Sequence, residues 1–385
     1  MPFQGKICTR GVWDQSVPNI SFDENGVSNY ARLYDKLVEA YPRGEQGKAE
    51  WEAIVKQIKT RGEGKKYDCI IGVSGGTDSS YLLHLAKEQG LKPLAVNLDN
   101  GWNSDIAVKN IKKMTSALGI DLETYVVDYE EIKDLLKSYM YAGMPWIDMP
   151  TDLAIKAVLY KIAAREGVKY ILRGNDFRSE GTQPTEWTYG DGKQLKYLHR
   201  KFGHVPLKTF PNYTITSLVY YGAIRKIKSI YPFYFLEYNK NRAQQFLVQQ
   251  YGWEYYGGHH FENVFTRFVM SYWLFEKFGI DKRKITLSAQ VLSGEISREE
   301  AVNVINTLPY VKDEVESVLD YVAKKLDLSR DEFLSIFNAP GHSYTDYPSY
   351  SFIFNGKNRI ATPVLNFIFK HKPQSLFKAE MIDNK

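Results

Sequence analysis

The segment CIIGVSGGTDSS, residues 69–80, decides the fold of this chain. It opens with a short apolar run bounded by polar residues and glycines, which is typical of a buried β-strand. Two adjacent glycines and several hydroxyl side chains follow, and residues 79–89 then have the pattern of a helix that ends at Gly90. This order predicts an anion-binding loop, because the first backbone N–H groups of a helix have no partner within it.

Strands and helices continue to alternate outward from this segment. Strands are predicted at residues 94–98, 124–127 and 170–173, and helices at residues 104–118 and 151–166, capped by Ser104 and Thr151. Short buried strands that alternate with long helices indicate a doubly wound parallel sheet, covered on both faces. The predicted fold class is therefore α/β, with the loop at the carboxyl edge of the sheet, where ligands bind in such folds.

The remaining sequence divides the chain into three predicted parts. Residues 1–60 form a small N-terminal segment with a linker helix, residues 61–181 the nucleotide domain, and residues 182–385 an aromatic and mostly helical region for substrate and partners. Past a boundary near Gly181 we predict a helix from Lys240 to Gln250 and two capping boxes, which begin at Ser297 and Ser329.

Composition limits the function classes. The 385 residues are 44% hydrophobic and 25% charged, as in globular proteins, and a net charge of +5 makes nucleic acid an unlikely partner. No apolar run approaches the roughly 18 residues that span a bilayer. Met1 to Arg10 has no apolar core of a secretion signal, and Cys8 and Cys69 are the two cysteines, so we expect a cytoplasmic protein.

The loop residues are suited to a phosphate group. The candidate nucleotide-binding residues are Ser74, Gly75, Gly76, Thr77, Asp78, Ser79 and Ser80. The glycines allow close approach of the backbone, the serines donate hydrogen bonds, and Asp78 is expected to hold Mg²⁺. A plain glycine turn with serine caps is the alternative, but such a motif arises by chance only about once in a million positions. The loop is not a Walker loop, and no lysine follows it as a Walker lysine would.

The pattern Ser-Gly-Gly-x-Asp-Ser resembles the loop of the PP-loop ATP pyrophosphatases. That resemblance implies that ATP is cleaved between its α- and β-phosphates and that Mg²⁺ accompanies it. A carbonyl or amide oxygen would be activated as an adenylate, and a nucleophile would then displace AMP.

Later blocks extend the resemblance from about Ile7 to Phe337. These blocks are Asp99–Asn103, Pro150–Asp152, Arg173–Asn175 with Glu180–Gly181, Tyr256–Glu262, Phe265–Phe268 and Phe278–Arg283. Together they are similar to the N-acetyl sugar amidotransferases of bacterial surface-polysaccharide synthesis, including that of lipopolysaccharide O-antigen. The resemblance implies that an acetamido group of a nucleotide- or lipid-linked sugar becomes an acetamidino group, with ammonia as the nucleophile.

The resemblance also suggests site residues. Asp78, Asn175, His260 and Arg267 are the candidate catalytic residues, and Asp99, Arg173 and Gly174 join the loop in binding ATP. His259, Lys282 and Arg283 are further cationic candidates for the charge that develops in the transition state.

This sequence departs from the family at its N-terminus. Two Cys-x-x-Cys pairs of the family correspond to Cys8, Gly11, Ser28 and Ala31, so we expect no zinc site. Cys69 lies in a predicted core strand, and no cysteine is placed for glutamine hydrolysis. Ammonia is therefore expected from solution or from a partner, and the resemblance implies a separate glutaminase subunit paired with a cyclase-like barrel subunit.

Two other functions stay open. A tRNA-modifying PP-loop enzyme would use ATP with tRNA, although thiolases generally need cysteines that this chain lacks. A non-catalytic nucleotide-binding scaffold subunit is the other alternative, because three of the four zinc-site thiolates are missing. The identity of the sugar, the acetamido position and the carrier are not encoded in any recognisable motif.

Overall fold

The computed structural model describes residues 3–258 and 261–354. Its centre is a five-stranded sheet in the order β3-β2-β1-β4-β5, in which all paired strands are parallel. The strands are β1 (Cys69–Gly72), β2 (Pro93–Asp99), β3 (Leu122–Val126), β4 (Tyr170–Leu172) and β5 (Lys228–Ile230). The predicted α/β fold class is confirmed.

Helices surround the sheet. The first group is α1 (Asn29–Ala40), α2 (Gly44–Arg61), α3 (Thr77–Glu88), α4 (Asp105–Leu118), α5 (Tyr129–Tyr141), α6 (Met149–Arg165), α7 (Phe177–Glu180), α8 (Thr185–Thr188) and α9 (Gly192–Phe202). The second is α10 (Ile215–Leu218), α11 (Lys240–Tyr251), α12 (Val264–Phe268), α13 (Arg283–Ser293), α14 (Arg298–Ile305), α15 (Lys312–Lys325), α16 (Arg330–Asn338) and α17 (Ser351–Phe354). Wider π-helical turns, Val219–Ile224 and Val269–Lys277, continue α10 and α12. Across the described residues, none of these helices combines the length and apolarity that crossing a membrane requires.

The central strands β1 and β2 are mainly apolar because both faces of the sheet are buried there. On β1, Ile70 packs into a cluster with side chains of α5 and α6, whereas Cys69 and Ile71 pack into a second cluster with α2, α3 and α4. On β2, Leu94 joins the first cluster and Ala95 the second. Successive side chains of a strand point to opposite faces, so each strand contributes to both cores.

Several predicted element ends are confirmed. Ser104 caps α4 by accepting a hydrogen bond from the Ala107 N–H, and Gly119 ends that helix in the left-handed conformation. The capping boxes at Ser297 and Ser329 are both formed, and the C-terminal third is mostly helical, as predicted. The predicted helix near Lys240 is α11.

Other predictions were wrong or incomplete. Thr151 does not cap α6, because the helix begins at Met149 and the Thr151 hydroxyl instead accepts a hydrogen bond from Asn100. The helix α5 and the strand β5 were not predicted. Since β5 follows Gly181, the sheet takes its last strand from beyond the boundary expected there.

A buried ion pair fixes the N-terminal segment to the helical C-terminal region. Lys284 Nζ of α13 lies 2.7 Å from Asp14 Oδ2, and the two side chains are only 3% and 0% exposed. Ser16 and Gln4 donate further hydrogen bonds to the same carboxylate. Removing one partner would therefore leave a charge in a site without water.

We expect Lys284→Met to lower the free energy of unfolding by about 3 kcal/mol, because it leaves the Asp14 carboxylate buried without a cation. Urea unfolding of the purified protein measures the change. Arg330→Met is the matched control, since its partners Glu316 and Asp320 are exposed and such pairs contribute about 0–1 kcal/mol. Equal losses in the two variants would contradict a special role for the buried pair.

Candidate active site

The phosphate loop lies at the point where the chain changes direction across the sheet. β1 and β4 are neighbours, but β1 is followed by β2 on one side and β4 by β5 on the other. The connections that leave the two strands therefore diverge and open a crevice at their carboxyl ends. The loop that follows β1 and the segment that begins at Arg173 after β4 border this crevice.

Gly75 is the residue that fixes the shape of the loop. Its φ of +79° is one that residues with side chains rarely adopt, and a Cβ there would lie 2.3 Å from the Ala107 carbonyl oxygen. Its own carbonyl accepts hydrogen bonds from Asn110 Nδ2 (3.3 Å) and Trp253 Nε1 (3.1 Å). The loop is thus held against α4 and against the segment after α11.

The start of α3 offers hydrogen-bond donors to an anion. Gly76 is its N-cap and supplies no side-chain cap, and the Thr77 N–H donates to the Tyr256 hydroxyl at 3.4 Å. The N–H groups that follow lie in the first turn, where the helix itself provides no acceptor. The Ser74 and Ser79 hydroxyls lie at the mouth, 3.5 Å apart. Thr77 and Ser80 are buried, and Thr77 Oγ1 accepts a hydrogen bond from Gln244. These features fit a pyrophosphate group on the outer side of the loop.

A lysine that the sequence did not reveal completes the loop. Lys240 Nζ, at the start of α11, lies 2.8 Å from Asp78 Oδ2, and the Tyr238 hydroxyl donates to the other carboxylate oxygen. Burial opposes the charge of Lys240, but the carboxylates of Asp78 and Glu180 raise its pKa well above the usual value. Lys240 therefore stays protonated. Its position in the sequence is far from the loop, whereas the lysine of a Walker motif belongs to the loop itself.

Several of the sequence blocks quoted above meet at this crevice. Asn100 Nδ2 donates to Thr151 Oγ1 (3.0 Å), and Asn263 Nδ2 donates to Asn100 Oδ1 (3.3 Å). Ser74 Oγ donates to Glu262 Oε1 (3.2 Å), so residues far apart in sequence meet at the loop. Glu262 was not a predicted site residue; its carboxylate and that of Asp78 are the oxygen ligands near the loop that suit Mg²⁺.

Asp148 is a buried acid beside this network. Its Oδ2 accepts a hydrogen bond from the Thr266 hydroxyl at 2.5 Å, and its Oδ1 has no partner among the described residues. Burial, and then the nearby Asp152 carboxylate, raise the pKa of Asp148 to about 7. A carboxyl group with such a pKa can exchange a proton near neutral pH.

Lys282 is the second group in this region whose pKa lies near neutral pH. Its Nζ lies 3.9 Å from the centre of the Trp146 ring, and Trp146 donates to Asp152 at 2.7 Å. Burial lowers the pKa of Lys282 to about 8, although the carboxylates of Asp152, Glu180 and Asp148 act in the opposite direction. A fraction of Lys282 is therefore neutral at physiological pH, which a proton acceptor requires.

Two family models match this chain. Residues 68–154 match the model described as queuosine biosynthesis protein QueC, and residues 262–360 match the C-terminal domain of the LPS biosynthesis protein WbpG-like family. The first match contains the phosphate loop, β1 to β3 and the start of α6. The fold is that of the PP-loop ATP pyrophosphatases. The second match begins at Glu262, which contacts the PP-loop.

Individual relatives match this chain over parts of their length. An uncharacterised protein of Methanocaldococcus jannaschii is 33% identical over 35% of this chain and 47% of its own length. A tRNA(Ile)-lysidine synthase of Chlamydia pneumoniae is 35% identical over 18% of this chain and 22% of its own length. The chain thus spans less than half the length of these curated relatives. Among solved structures, an NMN synthetase from Francisella tularensis is 15% identical, with a TM-score of 0.32, over 78% of this chain and 97% of that chain.

The segment after β4 borders the PP-loop closely. A Cβ on Gly174 would lie 2.9 Å from the backbone carbon of Asp78, so glycine allows the two segments to touch. Asn175 is exposed and donates to Glu180 Oε2 at 3.0 Å. Asp99 accepts a hydrogen bond from the Gly101 N–H and closes the turn after β2. All three predicted positions thus lie at the carboxyl edge of the sheet.

One predicted catalytic residue, Arg267, is held away from Asp78 by other contacts. Arg267 pairs with exposed Glu314 at 2.9 Å, and its guanidinium lies 4.8 Å from the Phe261 ring centre. Its neighbour Thr266, rather than Arg267, reaches the buried acid Asp148. His260 and His259 lie outside the described residues.

The four positions that correspond to zinc ligands are held by packing and hydrogen bonds. Cys8 Sγ accepts a hydrogen bond from the Ser28 N–H at 3.3 Å, and the Ser28 hydroxyl caps α1 by accepting from Ala31. A Cβ on Gly11 would meet the Trp13 ring at 2.8 Å. Within residues 3–258 and 261–354, no group of three or more His, Cys, Asp and Glu side chains is arranged to hold a metal.

Proposed function

We propose that this chain is an ATP-dependent, AMP-forming amidotransferase of lipopolysaccharide O-antigen synthesis. It would convert an acetamido group of a nucleotide- or lipid-linked sugar into an acetamidino group. One observation carries this proposal: the segment similar to an LPS biosynthesis family begins at Glu262 and directly contacts the PP-loop residue Ser74. The part of the chain that is similar to a sugar pathway thus contributes to the nucleotide site.

The chemistry suits an amide, which is a poor electrophile. The amide oxygen attacks the α-phosphorus of ATP, the bond to the bridging oxygen breaks, and pyrophosphate leaves. Ammonia then adds to the activated carbon, AMP departs with the former amide oxygen, and one proton is released from nitrogen. Pyrophosphate carries negative charge away from the reaction, so donors directed at it lower the barrier.

Named residues have separate roles in this scheme. N–H groups of α3 and the Lys240 ammonium bind the pyrophosphate portion of ATP. Asp78 and Glu262 would hold Mg²⁺, which neutralises phosphate charge. Asn175, His260 and Arg267 remain predicted contacts of the reacting groups. Lys282 accepts the proton that ammonia loses, with Asp148 as a second acceptor.

Ammonia would come from a partner in the cytoplasm. Cys69 lies in β1 and burial raises the pKa of its thiol well above the usual value, while Cys8 is also buried. A buried thiol of this kind is not an activated nucleophile. This supports a separate glutaminase subunit, with a cyclase-like barrel subunit, as the ammonia source.

The test combines the purified chain with ATP, Mg²⁺, heavy-nitrogen ammonium and a panel of UDP-linked and lipid-linked acetamido sugars. We expect AMP and pyrophosphate in equal amounts, and one sugar whose mass changes by the replacement of oxygen with labelled NH. Reactions without ammonium or without sugar are the controls. If no sugar yields AMP, even with glutaminase and barrel subunits added, the proposal fails.

A tRNA-modifying activity is the second candidate, supported by the similarity to a tRNA(Ile)-lysidine synthase. The same AMP assay with bulk tRNA in place of sugar separates the two functions. AMP release that depends on tRNA would favour the second candidate, and release that depends on an acetamido sugar would favour the first.

Lys282→Met is expected to lower kcat by about 100-fold, because it removes the proposed acceptor of the proton that ammonia loses. Lys282 accepts a proton only when it is neutral, so wild-type kcat should rise as pH increases through about 8. The measurement keeps free ammonia constant at each pH, which removes the titration of ammonium itself. We expect Lys282→Met to lose the rise and exposed Lys324→Met to keep it. An unchanged pH profile in Lys282→Met would exclude this role.

A further inference from the structure

Lys156 and Arg173 are two cations for which the described part of the chain provides no acidic partner. Lys156 lies on α6 and Arg173 immediately follows β4. Within residues 3–258 and 261–354, neither side chain forms an ion pair with a carboxylate, and Arg173 Nε is buried without a hydrogen-bond acceptor. Lys156 Nζ lies 4.3 Å from the centre of the Tyr213 ring.

This arrangement costs stability in the free protein. Burial, and then the positive charge of Arg173, lower the pKa of Lys156 to about 8. An unpaired, partly buried charge is unfavourable, and a neighbouring like charge adds to the cost. An anion between Lys156 and Arg173 would remove both penalties.

Aromatic residues enclose the same place. The Tyr213 side chain is 5% exposed, and its hydroxyl has no partner in the described part of the chain. Its ring centre lies 5.4 Å from that of Tyr160 and 6.5 Å from that of Tyr221. The site therefore combines two cations and an unused hydroxyl donor with flat apolar surfaces.

The position is distinct from the pyrophosphate part of the PP-loop. The Asp78 carboxylate raises the pKa of Lys240, but it does not contribute to the pKa of Lys156, for which Arg173 is the charged neighbour. Gly174, the next residue, touches the backbone of Asp78. Lys156 Nζ instead lies against the Tyr213 ring, while Arg173 directly precedes the residue that touches Asp78.

We propose that Lys156, Arg173 and Tyr213 form a second phosphate site, which binds a phosphate group of the acceptor substrate. That it is the acceptor's phosphate rests on the proposed function above. A nucleoside diphosphate and a prenyl diphosphate share this chemistry, and both carriers remain possible sources. Phosphate accepts charge-assisted hydrogen bonds from lysine, guanidinium and hydroxyl donors, which are the groups present.

The test is calorimetric binding without turnover. Wild-type protein is saturated with Mg²⁺ and α,β-methylene-ATP and titrated with uridine diphosphate or geranyl diphosphate. We expect at least one of them to bind beside the ATP analogue. Lys156→Met should weaken that binding at least about tenfold, and Tyr213→Phe by about threefold, with the affinity for the analogue unchanged. Lys161→Met, on an exposed position of the same helix, is the matched control.

Each other outcome overturns the proposal. Weaker binding of the ATP analogue to Lys156→Met would show that the site serves ATP. Failure of both diphosphates to bind, or equal affinities in Lys156→Met and Lys161→Met, would exclude a second phosphate site. Loss of folding is controlled by the thermal midpoint, which should be at or above wild type in Lys156→Met because an unpaired charge is removed. Since no turnover is measured, failure to detect amidination leaves this result unaffected.

Discussion

Replacing Asp78 with asparagine is expected to slow pyrophosphate release about a thousandfold at saturating ATP and Mg²⁺, with ATP affinity changed by less than about threefold. The carboxylate has two tasks that an amide cannot perform. It holds Lys240 at 2.8 Å, and it offers an oxygen ligand to Mg²⁺ at the start of α3. Binding survives because the backbone donors of the loop are unchanged. Single-turnover release of pyrophosphate and equilibrium binding of ATP measure the two effects separately.

The control for Asp78→Asn is Asp105→Asn, which removes an exposed acid from the first turn of the next helix, α4. Its effect on pyrophosphate release should be less than about twofold, since Asp105 contributes only a surface interaction with the helix dipole. Adding Lys240→Met to Asp78→Asn should cost little more, because residues that act as a unit are not additive. Pyrophosphate release within tenfold of wild type in Asp78→Asn would refute the assigned role.

Replacing Gly75 with alanine should weaken ATP binding at least about 100-fold, which corresponds to about 2.7 kcal/mol. The added Cβ would approach the Ala107 carbonyl oxygen to 2.3 Å, and neither partner is a flexible side chain. The loop must move, and the N–H groups of α3 then no longer converge on one anion. Equilibrium titration with ATP and a urea unfolding curve measure the consequence.

Gly119→Ala is the control that separates the cost of a positive φ from the cost of a steric clash of the added Cβ. Gly119 also has a positive φ, +57°, but a Cβ there meets nothing within 4 Å. It should lose about 1 kcal/mol of stability from its backbone conformation alone and bind ATP normally. If Gly75→Ala behaved like Gly119→Ala, the contact with Ala107 would not shape the nucleotide site.

The sheet was largely predictable because its central strands are short apolar runs. Cys69–Gly72 and Pro93–Asp99 are buried on both faces, so their composition alone marks them. Lys228–Ile230 has no such signal, since two of its three residues are polar and it pairs at an edge. The missed helix Tyr129–Tyr141 did carry a signal: Asp128 caps it, and apolar residues recur at helical spacing.

The sequence allowed us to predict which segments form the site, but it did not allow us to predict which side chains contact each other there. The blocks around Asn100, Thr151 and Asn263 meet in space, and the fold of a doubly wound sheet explains why they share one edge. The pairing of Asp78 with Lys240 spans 162 positions, and no local pattern encodes it. The contact of Arg267 with Glu314 likewise depends on how α15 packs.

The hydrogen bond from Trp253 to the Gly75 carbonyl has a consequence for protein synthesis. The two residues are 178 positions apart, and a ribosome adds roughly 5–20 residues per second, so the loop waits about 10–40 s for this contact. During that interval the nascent chain contains the loop residues Ser74 to Gly76 but lacks Trp253, which donates a hydrogen bond to the loop. The nucleotide site is therefore completed late in translation. A chain truncated before Trp253 should be released from the ribosome in a form that does not bind ATP tightly.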